Sequence, residues 1–410
     1  MSYHTSASIT KEYISDKKDT KDLIKNGCVI LDQKKHLDLL QCDSNLALSL
    51  GLQENIQIHK MDSGANSQIG AGYVHDTGNL GQTRKIVVLD TGYNYNHPEL
   101  SSSYLGGYDF INNDNDPFDD NGHGSFVAGI ITSDGINSAS KGAAPDTGII
   151  SGKILDSSGN GNLFNLINQI YWAVDGPDGI YGTSDDFNAD AIVSSLGTSA
   201  PYIYTSYCDD MLPELTDAVN YASSRNVALV AAAGNYGTSG VSIPGCISGA
   251  ITVGSVDYSN KIESTSGRGQ SIDIVAPGVN LLSTYLGTSY VTGSGTSAAA
   301  PIVAGTISLI KYAHPNYDIN QIKAVLTSTA LDLGAKGFDN TYGYGLINAR
   351  SSVSYTFPQC SDNIDNDLDG YIDLLDADCL SALDNKESTD TQPHYIGGSP
   401  VFRKVKITQI

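Results

Sequence analysis

The sequence has no apolar run near the roughly 18 to 20 residues that span a bilayer, so no membrane span is expected. It is also poor in cations. Its 23 lysines and arginines stand against 45 aspartates and glutamates, a formal net charge of −22. Such a chain has little with which to neutralise phosphates, and nucleic acid is not expected as a partner. The same charge suits solubility and divalent cations, and it says little about fold. Charged residues make up only 17% and apolar ones 40%, which is a globular composition and not a disordered one. The opening stretch "MSYHTSASITKEYISDKKDTKD" lacks the apolar segment of a secretory signal.

No Cys-x-x-Cys is present, which argues against zinc ligation. The six cysteines fall into three neighbouring pairs: Cys28 with Cys42, Cys208 with Cys246, and Cys360 with Cys379. Six thiols can join in many ways, so this is the simplest pairing and not a unique one, and six unpaired thiols are the alternative. Disulfides would imply an oxidising compartment, and a secreted or cell-surface location is expected on that ground.

Along the chain the pattern changes three times. In residues 1–65, "CVILDQKKHLDLLQC" predicts two short strands around a turn, "SNLALSLGL" a helix, and "NIQIHK" another strand. "DSGANSQIGAG" has the composition of a linker. Residues 66–356 alternate strand-like apolar runs ("KIVVLD", "TGIISGKIL", "ADAIVSSLG", "NVALVAAAG", "AITVGSVD", "SIDIVAPG") with helix-like segments, among them "GHGSFVAGIIT" and "TSAAAPIVAGTISLIKYA". That alternation predicts an α/β fold: a parallel sheet with helices on both faces and its chemistry at the strand C-terminal ends. Residues 357–385 are dense in aspartate, and 386–410 form a tail or the start of a further module.

Three segments carry candidate chemistry. "KIVVLDTGYNYNHPEL" ends a strand with Asp90, "DDNGHGSFVAGI" starts a helix with His123, and "GSGTSAAAP" starts another with Ser297. Singly, each has an ordinary reading as a turn residue, a structural histidine and a packing serine. Together, at glycine-flanked element boundaries, they supply an orienting carboxylate, a base and a nucleophile.

These segments, with "GAAPDTGIISGKILDSSGNG", "SSLG", "AAAGN" and "IVAPG" in order, closely resemble the subtilisin-like serine proteases over residues 68–350. The resemblance implies a serine endopeptidase acting on proteins or peptides, with Asp90, His123 and Ser297 as its triad and no catalytic cofactor. It further implies Asn235 as the oxyanion-hole amide; losing that donor in subtilisin costs about 10²–10³ in rate. Ser195, Leu196 and Gly197 would pair with an extended peptide, and Ala232, Ala233 and Gly234 would wall the pocket for the residue before the cleaved bond. No acidic residue occurs in "AAAGNYGTSGVSIPG", so a broad or apolar preference is expected there. Two departures stand out. Ser125 and Phe126 follow His-Gly where the family has Thr and a second His, and Ala298 replaces the Met after the nucleophile.

Residues 1–65 resemble an inhibitory prodomain in length and position. A structural calcium is expected in "DNDLDGYIDLLD", where Asp365, Asp367, Asp369, Asp373 and Asp376 are spaced as in an EF-hand loop around a glycine. "DGPDGIYGTSDD", with Asp175, Asp178, Asp185 and Asp186, is a weaker candidate. The family's usual calcium loop would fall at "TSDGINSASKG", which shows no clear ligand set beyond a contribution from Glu99. A monomer is expected. A catalytically dead scaffold of the same fold would need a broken triad. An α/β-hydrolase esterase would need Gly-x-Ser-x-Gly and serine before histidine, and neither occurs.

Overall fold

The computed structural model describes residues 10–16, 20–33, 37–50, 52–54, 64–358 and 360. The chain divides into two compact units, 1–60 and 61–410. In the first, β1 (Thr10–Asp16), β2 (Val29–Gln33), β3 (Leu37–Asp43) and β4 (Gln53–Glu54) form an antiparallel sheet in the order β2-β3-β1-β4, with helices α1 (Thr20–Lys25) and α2 (Ser44–Ser49). Asp43 ends β3 and caps α2, its carboxylate accepting from Asn45 and Leu46 N–H. The core is small: Tyr13, Leu23, Leu40 and Ala47 around the Cys28–Cys42 disulfide. The strands and helix expected here are present. "NIQIHK" lies outside the described residues.

The second unit opens with α3 (Gly64–Ile69) and α4 (Ala71–Asp76), where the sequence suggested a linker. Composition misleads here because tertiary contacts override it. Ala65, Ile69, Ala71 and Val74 are buried, and Asn66 Nδ2 donates to the carbonyls of Lys141 and Gly142.

Seven parallel strands follow, in the order β13-β12-β10-β8-β5-β7-β6. They are β5 (Lys85–Asp90), β6 (Tyr104–Asp109), β7 (Gly148–Lys153), β8 (Ala191–Ser194), β10 (Ala228–Ala232), β12 (Ile251–Val256) and β13 (Ile274–Pro277). Along β5 the side chains alternate between two cores. Ile86 and Val88 join one, and Val87 and Leu89 join the other. The first core holds α5 (His123–Thr132), α8 (Thr296–Ala313) and α9 (Ile319–Ser328). The second holds α6 (Leu163–Asp175) and α7 (Pro213–Ser224). Helices therefore cover both faces, as the near-continuous apolar strands predict.

Smaller elements complete the unit. Strand β9 (Ile203–Tyr204) pairs antiparallel with β11 (Val241–Ser242), and β14 (Leu281–Thr284) pairs with β15 (Tyr290–Gly293); α10 (Ala349–Ser354) lies against α8. The Cys208–Cys246 disulfide forms within this unit. Cys360 is buried, and Cys379 lies outside the described residues. No helix among the described residues is long and apolar enough to cross a membrane.

Candidate active site

Strand β5 delivers Asp90 to its C-terminal end, 1% exposed. Its Oδ1 accepts the Thr91 N–H and lies 2.7 Å from His123 Nδ1. A carboxylate only accepts, so Nδ1 carries the hydrogen and Nε2 is left as the nitrogen that can take a proton. Asp90 Oδ2 is buried without a hydrogen bond among the described residues, so its charge is poorly screened. The Asp90 charge, opposed by burial, raises the His123 pKa above its usual 6.5.

His123 sits at the first position of α5, and two glycines let it reach Asp90. A Cβ on Gly124 would strike the Gly92 carbonyl, and one on Gly92 would strike Pro117 and Asp119, so backbone packs directly on backbone. The helix start is held by Asp119, a fully buried carboxylate that accepts from Thr91 Oγ1, the N–H groups of Asn121, Gly122 and Ser125, and Ser125 Oγ. Burial alone would push its carboxyl up, but these bonds outweigh it and hold the pKa below the usual value. Ser125 therefore supplies a working hydroxyl, with Asn94 N–H donating to its Oγ. Phe126 packs its ring beneath Gly293, where a Cβ would lie 2.6 Å from it.

Ser297 is the second residue of α8. The helix contains Pro301, which has no N–H to give the carbonyl four residues back. That carbonyl belongs to Ser297, and Ser195 Oγ supplies the missing donor at 3.1 Å. Gly295, at φ +130°, lets the chain turn into the helix beside the Asn235 amide. Asn235 Oδ1 accepts from Thr296 N–H at 3.0 Å and Thr296 Oγ1 at 3.2 Å, so Nδ2 is the free donor. Thr296 Oγ1 in turn accepts the Gly234 N–H.

A cavity of about 320 Å³ is lined by Ser195, Leu196, Gly197, Thr198, Ala232, Gly234, Asn235, Tyr236, Ser242, Thr296 and Ser297. Of the expected wall residues only Ala233 is absent; it is fully buried behind the wall and its carbonyl accepts the Ser242 N–H. Ser242 Oγ leaves room only for glycine at 197 and 234, since a Cβ at either position would collide with it. A neighbouring cavity of about 480 Å³ shares Ser195–Thr198 and adds His123, Ile154, Leu155, Leu163 and Leu166. Asp119, Thr296, Ser242 and Tyr236 were not singled out from the sequence. Only Asp119 had a visible signal, an acidic residue just ahead of a helix start.

The described residues contain no group of three or more His, Cys, Asp or Glu that could hold a metal ion. In 175–186 the carboxylates do not converge. Asp175 accepts from Tyr221, while Asp178, Asp185 and Asp186 accept backbone N–H groups of their own loop. Asp365, Asp367, Asp369, Asp373 and Asp376 lie outside the described residues.

A doubly covered parallel sheet, with a carboxylate–imidazole pair and a helix-start serine lining two neighbouring cavities that share Ser195–Thr198, is the architecture of a serine-class hydrolytic enzyme. The chain belongs to the subtilase family of serine endopeptidases, which it matches over residues 81–345. Among its relatives, the Thermophilic serine proteinase of Bacillus sp. (strain AK1) is 36% identical over 284 residues, 69% of this chain and 65% of that protein. Subtilisin Savinase of Lederbergia lenta is 36% identical over 287 residues, 70% of this chain and 97% of that protein. The Alkaline protease of Alkalihalobacillus alcalophilus is also 36% identical, across 68% of its own length.

Proposed function

We propose that the protein hydrolyses peptide bonds through Ser297, His123 and Asp90. The observation that carries this reading is the Asp90–His123 pair, whose imidazole lines one cavity while Ser297 and Asn235 line a neighbouring one that shares Ser195–Thr198 with it. His123 Nε2 takes the Ser297 hydroxyl proton as Oγ bonds to the scissile carbonyl carbon, while Asp90 holds the imidazolium. The oxyanion is met by Asn235 Nδ2 and the Ser297 N–H at the start of α8. The imidazolium then protonates the leaving amine as the C–N bond breaks, and water releases the acyl group by the same route in reverse.

The substrate lies extended along Ser195–Gly197, pairing backbone to backbone. The side chain before the cleaved bond enters the cavity beside Ser297, whose lining includes Ser242 and has no charged residue. That lining favours apolar side chains and gives basic ones no partner. Leu155, Leu163, Leu166 and Leu196 in the adjoining cavity suit an apolar side chain further upstream.

Residues 1–65 act as a prodomain that assists folding and blocks the groove until cleavage within 59–68; the separate core and disulfide of the first unit support this. Residues 66–356 are then the peptidase, 357–385 a calcium-binding module and 386–410 a tail. The enzyme works as a monomer outside the cell, which its disulfides suit.

The decisive test is labelling with a fluorophosphonate probe alongside casein hydrolysis. Both are expected for the native protein and lost in Ser297→Ala and His123→Ala. Label retained in both variants refutes the assignment. Recovery of fully active protein with residues 1–65 still attached refutes the prodomain.

A further inference from the structure

Glu99 is fully buried, yet no described lysine, arginine or histidine forms an ion pair with it. Its charge is met by hydrogen-bond donors alone. Oε2 accepts from Gly135 N–H at 2.6 Å and Ile136 N–H at 2.9 Å. Oε1 accepts from Asn137 N–H at 2.7 Å, Tyr290 hydroxyl at 2.8 Å and Ser140 Oγ at 3.3 Å. Three successive amides pointing at one carboxylate form an anion nest.

The usual calcium loop of the subtilisin-like proteases would fall here, where the sequence shows no clear ligand set beyond Glu99. A cation needs inward-facing oxygens. This loop turns its N–H groups inward, the Glu99 carboxylate is already saturated with donors, and the loop's other carboxylate, Asp134, accepts from Ser102 Oγ. The donor set does not fit calcium; it fits an anion.

Glu99 and its partners come from three segments. Glu99 itself follows the Asp90 strand and is anchored by its own N–H to His97 Nδ1 and its carbonyl to Asp134 N–H. Residues 133–140 leave the helix that begins at His123. Tyr290 opens β15, which runs directly toward Ser297. We propose that Glu99 is a positioning residue, a metal-free brace that keeps the segments bearing Asp90, His123 and Ser297 in register.

This rests on the triad reading, and the test separates the two. Hydrogen exchange at the amides of 135–137 is followed in the full-length protein with calcium and with EGTA, for wild type, Glu99→Gln and Tyr290→Phe. Kinetics are run in parallel. Exchange at these amides in the wild type should gain no selective protection from calcium. Glu99→Gln, which loses charge-assisted bonds, should exchange at least about tenfold faster. Its kcat should fall by a similar factor with KM unchanged, because the pocket walls lie on other strands, and calcium should not restore it. Tyr290→Phe keeps the carboxylate and its nest, so it serves if Glu99→Gln fails to fold; a smaller kcat loss, again at constant KM, is expected.

Calcium that slows exchange at 135–137 selectively, with exchange elsewhere in the second unit unchanged, or that restores this selective protection in Glu99→Gln, overturns the metal-free brace. Faster exchange with unchanged kcat overturns the positioning role. Retained activity in Ser297→Ala would sink the triad reading, while the exchange measurements would still report on the nest.

Discussion

The side chain of Ser195 is bonded to the backbone of Ser297, its hydroxyl donating to the carbonyl that Pro301 leaves without a helical partner. A buried wall of the cleft is thereby tied to the first turn of α8. Ser195→Ala should strand that carbonyl at a cost of about 1–3 kcal/mol. Pro301→Ala restores an N–H at the right place, so in that background the same Ser195→Ala change should cost much less. Urea unfolding of the two single variants and the double variant measures the coupling, and strictly additive losses would show that the two residues do not share the carbonyl.

Asn235 is oriented from one side only. With Oδ1 fixed by Thr296, the amide cannot flip without leaving the Thr296 N–H unpaired. Asn235→Ala should lower kcat by about 10²–10³ with little change in KM, since the donor acts on charge that develops in the transition state. Thr296→Val, which keeps the backbone donor and removes the hydroxyl, should cost less. A large rise in KM for Asn235→Ala at unchanged kcat would assign the amide to ground-state binding instead.

The carboxylate of Asp90 favours imidazolium, but catalysis needs the neutral ring. Activity should therefore climb with pH through a midpoint above 6.5, where His123 loses its proton. The stability linked to this group runs the other way. It is fully present below the unfolded value near 6.5 and is lost as pH rises through the higher folded value. Over that window the enzyme should gain rate while giving up some stability. The pH dependence of kcat/KM tests the first half, and NMR titration of His123 in Asp90→Asn tests the cause: the pKa should drop. A midpoint at or below 6.5 in the native protein contradicts it.

Most of the sheet was legible because buried parallel strands such as "KIVVLD" and "NVALVAAAG" are apolar throughout, which few other structures tolerate. Strand β6 escaped notice because "YLGGYD" lies at the sheet edge, is only partly buried and contains two glycines. The hairpin of β14 and β15 is likewise short, and β15 is only partly buried. Helices α3 and α4 were hidden by a loop-like composition that only long-range contacts make helical. The candidate triad could be read from the sequence because each member closes or opens an element beside glycine. The supporting polar groups could not. Thr296, Ser242 and Asp119 acquire their roles from partners brought in by the fold, and the donors that converge on Glu99 are mostly backbone N–H groups, which carry no side-chain signature.

The disulfide Cys208–Cys246 joins residues 38 apart in sequence and staples the segment after β9 to the segment after β11, the strand that carries Ser242. Both sulfurs are buried, and Cys208 N–H also donates to the Cys246 carbonyl. Along the same seam Thr198 Oγ1 accepts the Ile243 N–H, and Tyr236 hydroxyl donates to Ser199 Oγ across the cavity rim. Replacing both cysteines by alanine frees the unfolded chain and should cost up to about 4 kcal/mol, seen as a lower urea midpoint. The segments that carry Asp90, His123 and Ser297 lie elsewhere in the chain, so the rate of fluorophosphonate labelling should hold. What should suffer is recognition: KM should rise for peptides with a large apolar residue before the cleaved bond and stay level for alanine there. Equal KM changes for both peptides would mean that the staple steadies the domain as a whole and does not shape this pocket.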